Sequence, residues 1–263
     1  MVMPEGYRKT YSTIPYGVWS DDGSQLLALL AVLIRGRGQY DETRFAENLL
    51  AWWRTGRFQA GGVVFDVGGQ TRAALEDRAA ARSLRPLAPA RCGNGSLTRV
   101  LAAPLLPEAF GVPHSDAVRM AMDQSSVTHP QALARVSCAL YVELCWTLAG
   151  RPDGDLWGLV MQAEETLRGR GILDLEERDS LRVLMAGRKE LPTGSGYVVS
   201  TFWAAVWAVN GANSISETLR AAVGLGGDTD TVACVAGGLA GLRFGLDQLA
   251  ERWWSEMDLC VDA

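Results

Sequence analysis

Apolar residues recur along most of the chain at the three- and four-residue spacing of helices with one buried face. Leu26-Leu27-Ala28-Leu29-Leu30-Ala31-Val32-Leu33-Ile34 predicts a first helix from about Gly23 to Arg35. Asp41-Glu42-Thr43 opens a second, whose Phe45, Leu49, Leu50 and Trp53 share a face. Residues 61–70 read as a glycine-rich loop. Helical spacing returns from Thr71 to Leu84, until Pro86 and Pro89 interrupt it. Ser115 is placed to cap a helix through Val118, Met122 and Ser126. Pro130 suits the first turn of the next, which runs to about Leu148. Further helices fit 154–169, 175–187, 197–209 and 215–223.

A last helix follows Thr231, where Val232 to Gly241 is small and apolar without proline. Its Gly237, Gly238 and Gly241 each cost about 1 kcal/mol against alanine, and close packing against another helix is a reason to keep them. Residues 1–18, with Pro4, Gly6, Pro15 and Gly17, form an irregular lead-in. No stretch alternates with period two, so no sheet is predicted. The pattern gives one all-α domain over residues 1–263.

Composition narrows the picture. The 263 residues are 48% hydrophobic and 21% charged, the balance of a globular chain, and the net charge is −5. That charge argues against a general affinity for nucleic acid, so an anionic ligand would be held by backbone donors or by metal. The uninterrupted apolar runs fall short of the roughly 20 residues of a membrane span, so no membrane partner is expected. Glu5, Arg8 and Lys9 without an apolar core behind them exclude a signal peptide. The cysteines Cys92, Cys138, Cys145, Cys234 and Cys260 are odd in number and lack C-x-x-C spacing. They read as reduced core residues of a cytoplasmic protein. The pattern leaves the oligomeric state open.

Candidate chemistry concentrates at two helix starts. Gly224-Leu225-Gly226-Gly227 leads into Asp228-Thr229-Asp230-Thr231, and Trp19-Ser20-Asp21-Asp22 opens the first helix. Acids at a first turn can serve as caps that suit the helix dipole. Two such starts facing each other would instead form an oxygen cage for hard cations such as Mg2+. Two glycine loops add to this. Gly93-Asn94-Gly95-Ser96 and Gly194-Ser195-Gly196-Tyr197 can each turn several backbone N–H groups to one point, as phosphate-binding nests do. Asp228-Thr229-Asp230-Thr231-Val232 also matches the D-x-D-x-[TV] loop of haloacid-dehalogenase-like phosphatases. That loop should follow a buried strand, and here glycines precede it. His129 is either a ligand contact or a structural histidine at a helix start. His114 reads as a solvated loop residue. Trp19 either joins the core or borders the cleft, and Trp52-Trp53 and Trp253-Trp254 read as core or interface.

Taken in order, these stretches resemble the ADP-ribosylglycohydrolase family. Trp19-Ser20-Asp21-Asp22, Gly93-Asn94-Gly95-Ser96, Gly194-Ser195-Gly196-Tyr197-Val198 and Gly227-Asp228-Thr229-Asp230-Thr231 carry the likeness. Phe65-Asp66-Val67-Gly68-Gly69-Gln70-Thr71-Arg72 and Thr128-His129-Pro130 support it, and it covers about Tyr16 to Gly245. The resemblance implies a compact orthogonal helical bundle with a binuclear Mg2+ centre, Mn2+ in some members. It implies metal contacts from Ser20, Asp21, Asp22, Asp228, Asp230 and Thr231, with Asp21 or Asp22 as the catalytic carboxylate. Gly93, Asn94, Gly95, Ser96, His129, Gly194, Ser195, Gly196 and Tyr197 would line an ADP-ribose site. The implied reaction is hydrolysis of the N- or O-glycosidic bond between ADP-ribose and an acceptor on a protein or small molecule.

Three departures accompany the likeness. Ser20 replaces a common threonine, and Gly23 stands where many members have another. The residues ahead of Trp19 are too few for the glycine-rich first helix and its metal-reaching acid. The alternative expectation is therefore a non-catalytic member: an ADP-ribose binder, a structural protein, or a blocker of an ADP-ribosylating toxin.

Overall fold

A computed structural model describes residues 10–15, 17–82 and 92–245. The lead-in to residue 9, Tyr16, the Leu84 end of the third predicted helix, Pro86, Pro89, Trp253, Trp254 and Cys260 lie outside the described residues. Twelve α-helices follow one another along these residues: α1 Asp21–Arg35, α2 Glu42–Thr55, α3 Gly69–Ala79, α4 Gly95–Arg99, α5 Leu106–Phe110, α6 His114–Ser126, α7 Ala132–Gly150, α8 Leu156–Gly169, α9 Leu175–Ala186, α10 Val198–Asn210, α11 Ile215–Gly224 and α12 Thr229–Phe244. Among the described residues the only sheet-like pairing is an isolated bridge between Gly93 and Tyr197. The all-α expectation holds.

The core is built around α7. Most of its residues are buried, and it packs against α6, α8, α9, α10 and α12. By length and hydropathy α7 could cross a membrane. The run-by-run reading missed this because Arg135, Ser137 and Glu143 divide the helix into shorter apolar runs. Of its most apolar window, 72% is buried among neighbouring helices, as a core helix requires. Glu143 is buried with it and pairs with Arg170 just beyond α8. The Tyr141 hydroxyl donates to the Val235 carbonyl at 2.9 Å and ties α7 to α12. At Gly238 an added Cβ would sit 2.3 Å from Leu101 and 2.5 Å from the Tyr141 oxygen, so this glycine is required by close packing. Among the described residues the same reason does not extend to Gly241, whose Cβ would meet nothing within 4 Å, nor to Gly237, which has only an ordinary contact to Leu219.

The boundaries differ from the sequence pattern in informative places. Helix α1 starts at Asp21, two residues early, so both acids lie inside its first turn. Helix α3 starts at Gly69 and ends at Ala79. Ser115 is not a cap: α6 starts at His114 behind Pro113, and the Ser115 hydroxyl donates to Asp116 at 3.3 Å. His114 is thus helical, and it packs edge-on against Trp146 with ring centres 4.3 Å apart. Pro130 precedes Gln131, the cap of α7, rather than entering the first turn. Helices α4 and α5, with a 3-10 segment over Val100–Leu105 between them, were not read from the sequence. Each is about one turn long, too short to show a period, and Pro104 and Pro107 look like breaks.

Candidate active site

The two acidic helix starts meet. The Thr231 hydroxyl of α12 donates to the Asp22 carboxylate of α1 at 3.0 Å, across 209 residues of sequence. Asp21, Asp22, Asp228 and Thr231 line one cavity of about 300 Å3, together with Asp66 from the loop ahead of α3. Asp230 and Ser20 open instead onto a second cavity of about 440 Å3, beside Trp19, Tyr11 and Phe65. Asp22 and Asp66 line both, and so stand between them. Trp19 borders this second cavity, its indole N–H held by the Phe58 carbonyl at 2.9 Å. A side chain at Gly23 would come within 2.8 Å of the Trp19 ring, which accounts for glycine there.

The glycine loops set the other half. The Gly194 carbonyl accepts from the Asp228 N–H at 2.7 Å. A Cβ on Gly194 would lie 1.6 Å from the Gly226 carbonyl oxygen, so the loops ahead of α10 and α12 touch backbone to backbone. Gly227 takes a positive φ of 67° at this contact. Asp228 is the N-cap residue of α12, yet its side chain makes no capping bond. Its carboxylate accepts from the Asn94 amide at 2.8 Å, and the same amide reaches Thr201 at 2.9 Å. The Gly93 N–H is taken up by Gln70 at 3.0 Å.

Of the residues expected to face a ligand, Gly93, Asn94, Gly95, His129 and Gly196 line the first cavity. Ser96, Gly194, Ser195 and Tyr197 line neither of these two cavities. Ser96 is fully buried, and its hydroxyl accepts from Ser125 at 2.8 Å. Gly194 is used in the backbone contact to α12. The Ser195 hydroxyl turns back to accept from the Tyr197 N–H at 3.2 Å. Tyr197 packs against the hydrophobic core. His129 stands behind the Gly93–Gly95 loop, its ring nitrogen 3.2 Å from where a Gly93 Cβ would be. Its Nδ1 pairs with the Thr128 hydroxyl at 2.7 Å. Burial pushes the imidazole down to about 3, so it is neutral at physiological pH.

The electrostatics are one-sided. Burial raises the Asp21 carboxyl well above the carboxylate range, and Asp22 and Asp66 raise it further. Burial and Asp230 do the same to Asp22, against the Thr98 and Thr231 hydroxyls that favour its ionised form. Asp66 is raised by burial, while the Tyr11 hydroxyl, donating at 2.8 Å, works against that. Among the described residues none of these acids has a cation at salt-bridge distance. Neutral donors hold them: Gln25 for Asp21 at 2.8 Å, Thr231 for Asp22, Tyr11 for Asp66 and Asn94 for Asp228. Crowded carboxylates with only neutral partners fit hard divalent cations. As the side chains stand, no three acid, histidine or cysteine groups among the described residues close around a single point. The site is an acid-lined cleft whose donors are gathered around an opening.

The sequence reading gave no role to Asp66, Gln70, Thr71, Gln25 or Arg99. Asp66 had a usable signal in the sequence, an acid directly ahead of Val67-Gly68-Gly69; in the structure it takes a positive φ of 55°, unusual for a residue with a side chain. Gln25 and Arg99 had none, because their place depends on α4.

Comparison with known proteins gives the following. The sequence model described as ADP-ribosylglycohydrolase matches residues 3–262. The chain is 33% identical over 257 residues to the ADP-ribosylarginine hydrolase Tri1 of Pseudomonas putida (strain GB-1), covering 91% of the chain and 64% of that relative. It is 28% identical over 252 residues to the protein of the same name from Serratia proteamaculans (strain 568), covering 63% of it. The chain thus spans less than two thirds of either. With the ADP-ribosyl-[dinitrogen reductase] glycohydrolase of Rhodospirillum rubrum it shares 26% identity over 247 residues, 94% of the chain and 76% of the relative. A solved structure described as an ADP-ribosylglycohydrolase-related protein complex superposes with a TM-score of 0.68 at 32% identity, covering 92% of the chain and 76% of its own.

Proposed function

The chain belongs to the ADP-ribosylglycohydrolase family, and on that premise we propose that it hydrolyses the N- or O-glycosidic bond between ADP-ribose and an acceptor, with two divalent cations, Mg2+ or Mn2+, as cofactors. The observation that carries this reading is the contact of α1 with α12 through Thr231 and Asp22, which gathers Asp21, Asp22 and Asp228 from the two helix starts at one cleft. ADP-ribosylated arginine is the first linkage to try, since two relatives are named for it.

In this reading Asp21, Asp22, Asp228 and Thr231, with Ser20 and Asp230 from the second cavity, would hold the cations. When bound, such ions fix sugar hydroxyls and make water a competent nucleophile near neutral pH. The chain's own groups do the rest. Cleavage builds positive charge on the sugar, and the acid-lined wall stabilises it. Asp21 or Asp22 handles the proton, and Asp66, oriented by Tyr11 and shared by both cavities, is a third candidate. With the Gly93 N–H taken up by Gln70, the Asn94 and Gly95 N–H groups, backed by neutral His129, are the loop donors that would meet the pyrophosphate. His129 acts there by shape and hydrogen bonding, since it carries no charge.

The test is calorimetric titration of ADP-ribose with Mg2+ and then with EDTA, followed by assay of ADP-ribose release from ADP-ribosylarginine. Metal-dependent binding with turnover supports the hydrolase. Binding without turnover identifies the non-catalytic alternative. Absence of binding under both conditions overturns the hydrolase and the ADP-ribose binder, and leaves a structural or toxin-blocking member.

A further inference from the structure

Arg99 is a full positive charge with no exposure to solvent, and among the described residues its guanidinium hydrogen-bonds to neutral oxygens rather than to a carboxylate. Its Nε and Nη2 donate to the Gln124 side-chain and backbone oxygens, both at 2.7 Å. Its Nη1 donates to Gln25 Oε1 at 2.8 Å. The Phe45 ring lies 5.2 Å from the guanidinium carbon. An arginine side chain has donors and no acceptor, so Gln25 must turn its oxygen toward Arg99. Its amide nitrogen is then left to donate in the other direction, and it meets Asp21 Oδ2 at 2.8 Å. The orientation of this amide, which a glutamine alone does not fix, is dictated by the buried cation.

Arg99 ends α4, and Asn94 stands at the N-cap position of the same helix without a side-chain capping bond. Asn94 holds Asp228 directly. One five-residue helix therefore reaches the acids of both helix starts, Asp228 from one end and Asp21 through Gln25 from the other.

We propose that Arg99 and Gln25 are positioning residues: a relay that commits one oxygen of Asp21 to an internal donor and so sets how that carboxylate faces a cation in the cleft. This rests on the reading of the cleft as a divalent-cation site. Donors behind a metal-facing carboxylate typically alter metal affinity by 10–100-fold, whereas a purely structural glutamine would alter only folding.

The experiment measures Mn2+ binding by calorimetry and metal-free thermal melting for the wild-type chain, Gln25→Met and Gln124→Met. Both substitutions take an acceptor from Arg99, but only Gln25→Met breaks the link to Asp21. Gln25→Met is expected to weaken Mn2+ binding on the order of tenfold, with Gln124→Met within twofold of wild type despite a similar drop in melting temperature. Equal Mn2+ affinity in Gln25→Met and wild type, or an equal loss in both variants, overturns the relay while leaving the cation site standing. A wild-type chain that takes up no Mn2+ overturns the cation site and the relay together. Should Gln25→Met not fold, Gln25→Asn keeps an amide one methylene too short to span Arg99 and Asp21, and it is read by the same criterion.

Discussion

Two buried polar clusters share α1 and α4 and obey opposite rules. Around Arg99, every group has its complement: the guanidinium meets Gln124 and Gln25, and the Gln124 amide meets the carbonyls of Ser96 and Ala121 at 3.1 and 3.0 Å. Around Asp22, charges of one sign crowd together and only neutral hydroxyls and amides answer them. Polar groups inside a protein are normally satisfied, so the first cluster is what a scaffold needs. The second is what a scaffold avoids, unless a ligand of opposite charge completes it. The difference between them separates the part that holds shape from the part that acts.

The largest expected effect breaks the acidic side. Asp228→Asn should lower hydrolysis on the order of a thousandfold, while the metal-free melting temperature stays level or rises, since one repelling charge is gone. A variant with wild-type turnover would remove Asp228 from the site. On the satisfied side the sign reverses. Arg99→Met leaves Gln25 and Gln124 acceptors buried without a donor and should cost about 3 kcal/mol in denaturant unfolding. A loss below about 1 kcal/mol would mean that the network is not what holds α4.

The smallest effect is a pH dependence. His129 is held near 3 in the folded chain against an ordinary value of 6.5. As pH falls below 6.5 the unfolded chain takes up a proton that the folded one does not. Stability therefore declines by about 1.4 kcal/mol per pH unit from this group, and is intact above 6.5. Between pH 7 and pH 5 the wild type should lose about 2 kcal/mol relative to His129→Gln. The difference curve cancels the carboxyls, which titrate in both. Parallel curves would show that the ring is accessible to protons in the folded state.

Much of the scaffold was legible because it is periodic. The long helices α1, α2, α7, α8, α10 and α11 follow apolar spacing that survives any neighbour. The acidic pairs could be read as chemistry, because Asp21 with Asp22 and Asp228 with Asp230 stand where caps alone would not need two acids each. Geometry set by tertiary contact was not legible. Nothing in Gly93-Asn94-Gly95-Ser96 says that Asn94 turns into the cleft while Ser96 turns into the core, since that depends on α4 being a helix of one turn. Likewise Gly194 looks like a ligand loop, and its role becomes plain only when the Gly226 carbonyl occupies the place of its missing side chain. Asp66 lacked a partner in the reading because Tyr11, 55 residues away, supplies it.

The contact between Thr231 and Asp22 has a consequence for how this protein comes apart. It closes a loop of 209 residues, so it exists only once the first and last described helices are in place. Contacts of such sequence separation are late rewards in folding, after the entropy of closure has been met. A ligand that bridges the two helix starts can therefore bind only the complete fold. Its binding energy then appears whole in the global unfolding equilibrium, as RT ln(1 + [L]/Kd). Amide exchange in α7, at the centre of the bundle, should slow on ligand addition as much as exchange beside the cleft, although α7 carries none of the acids.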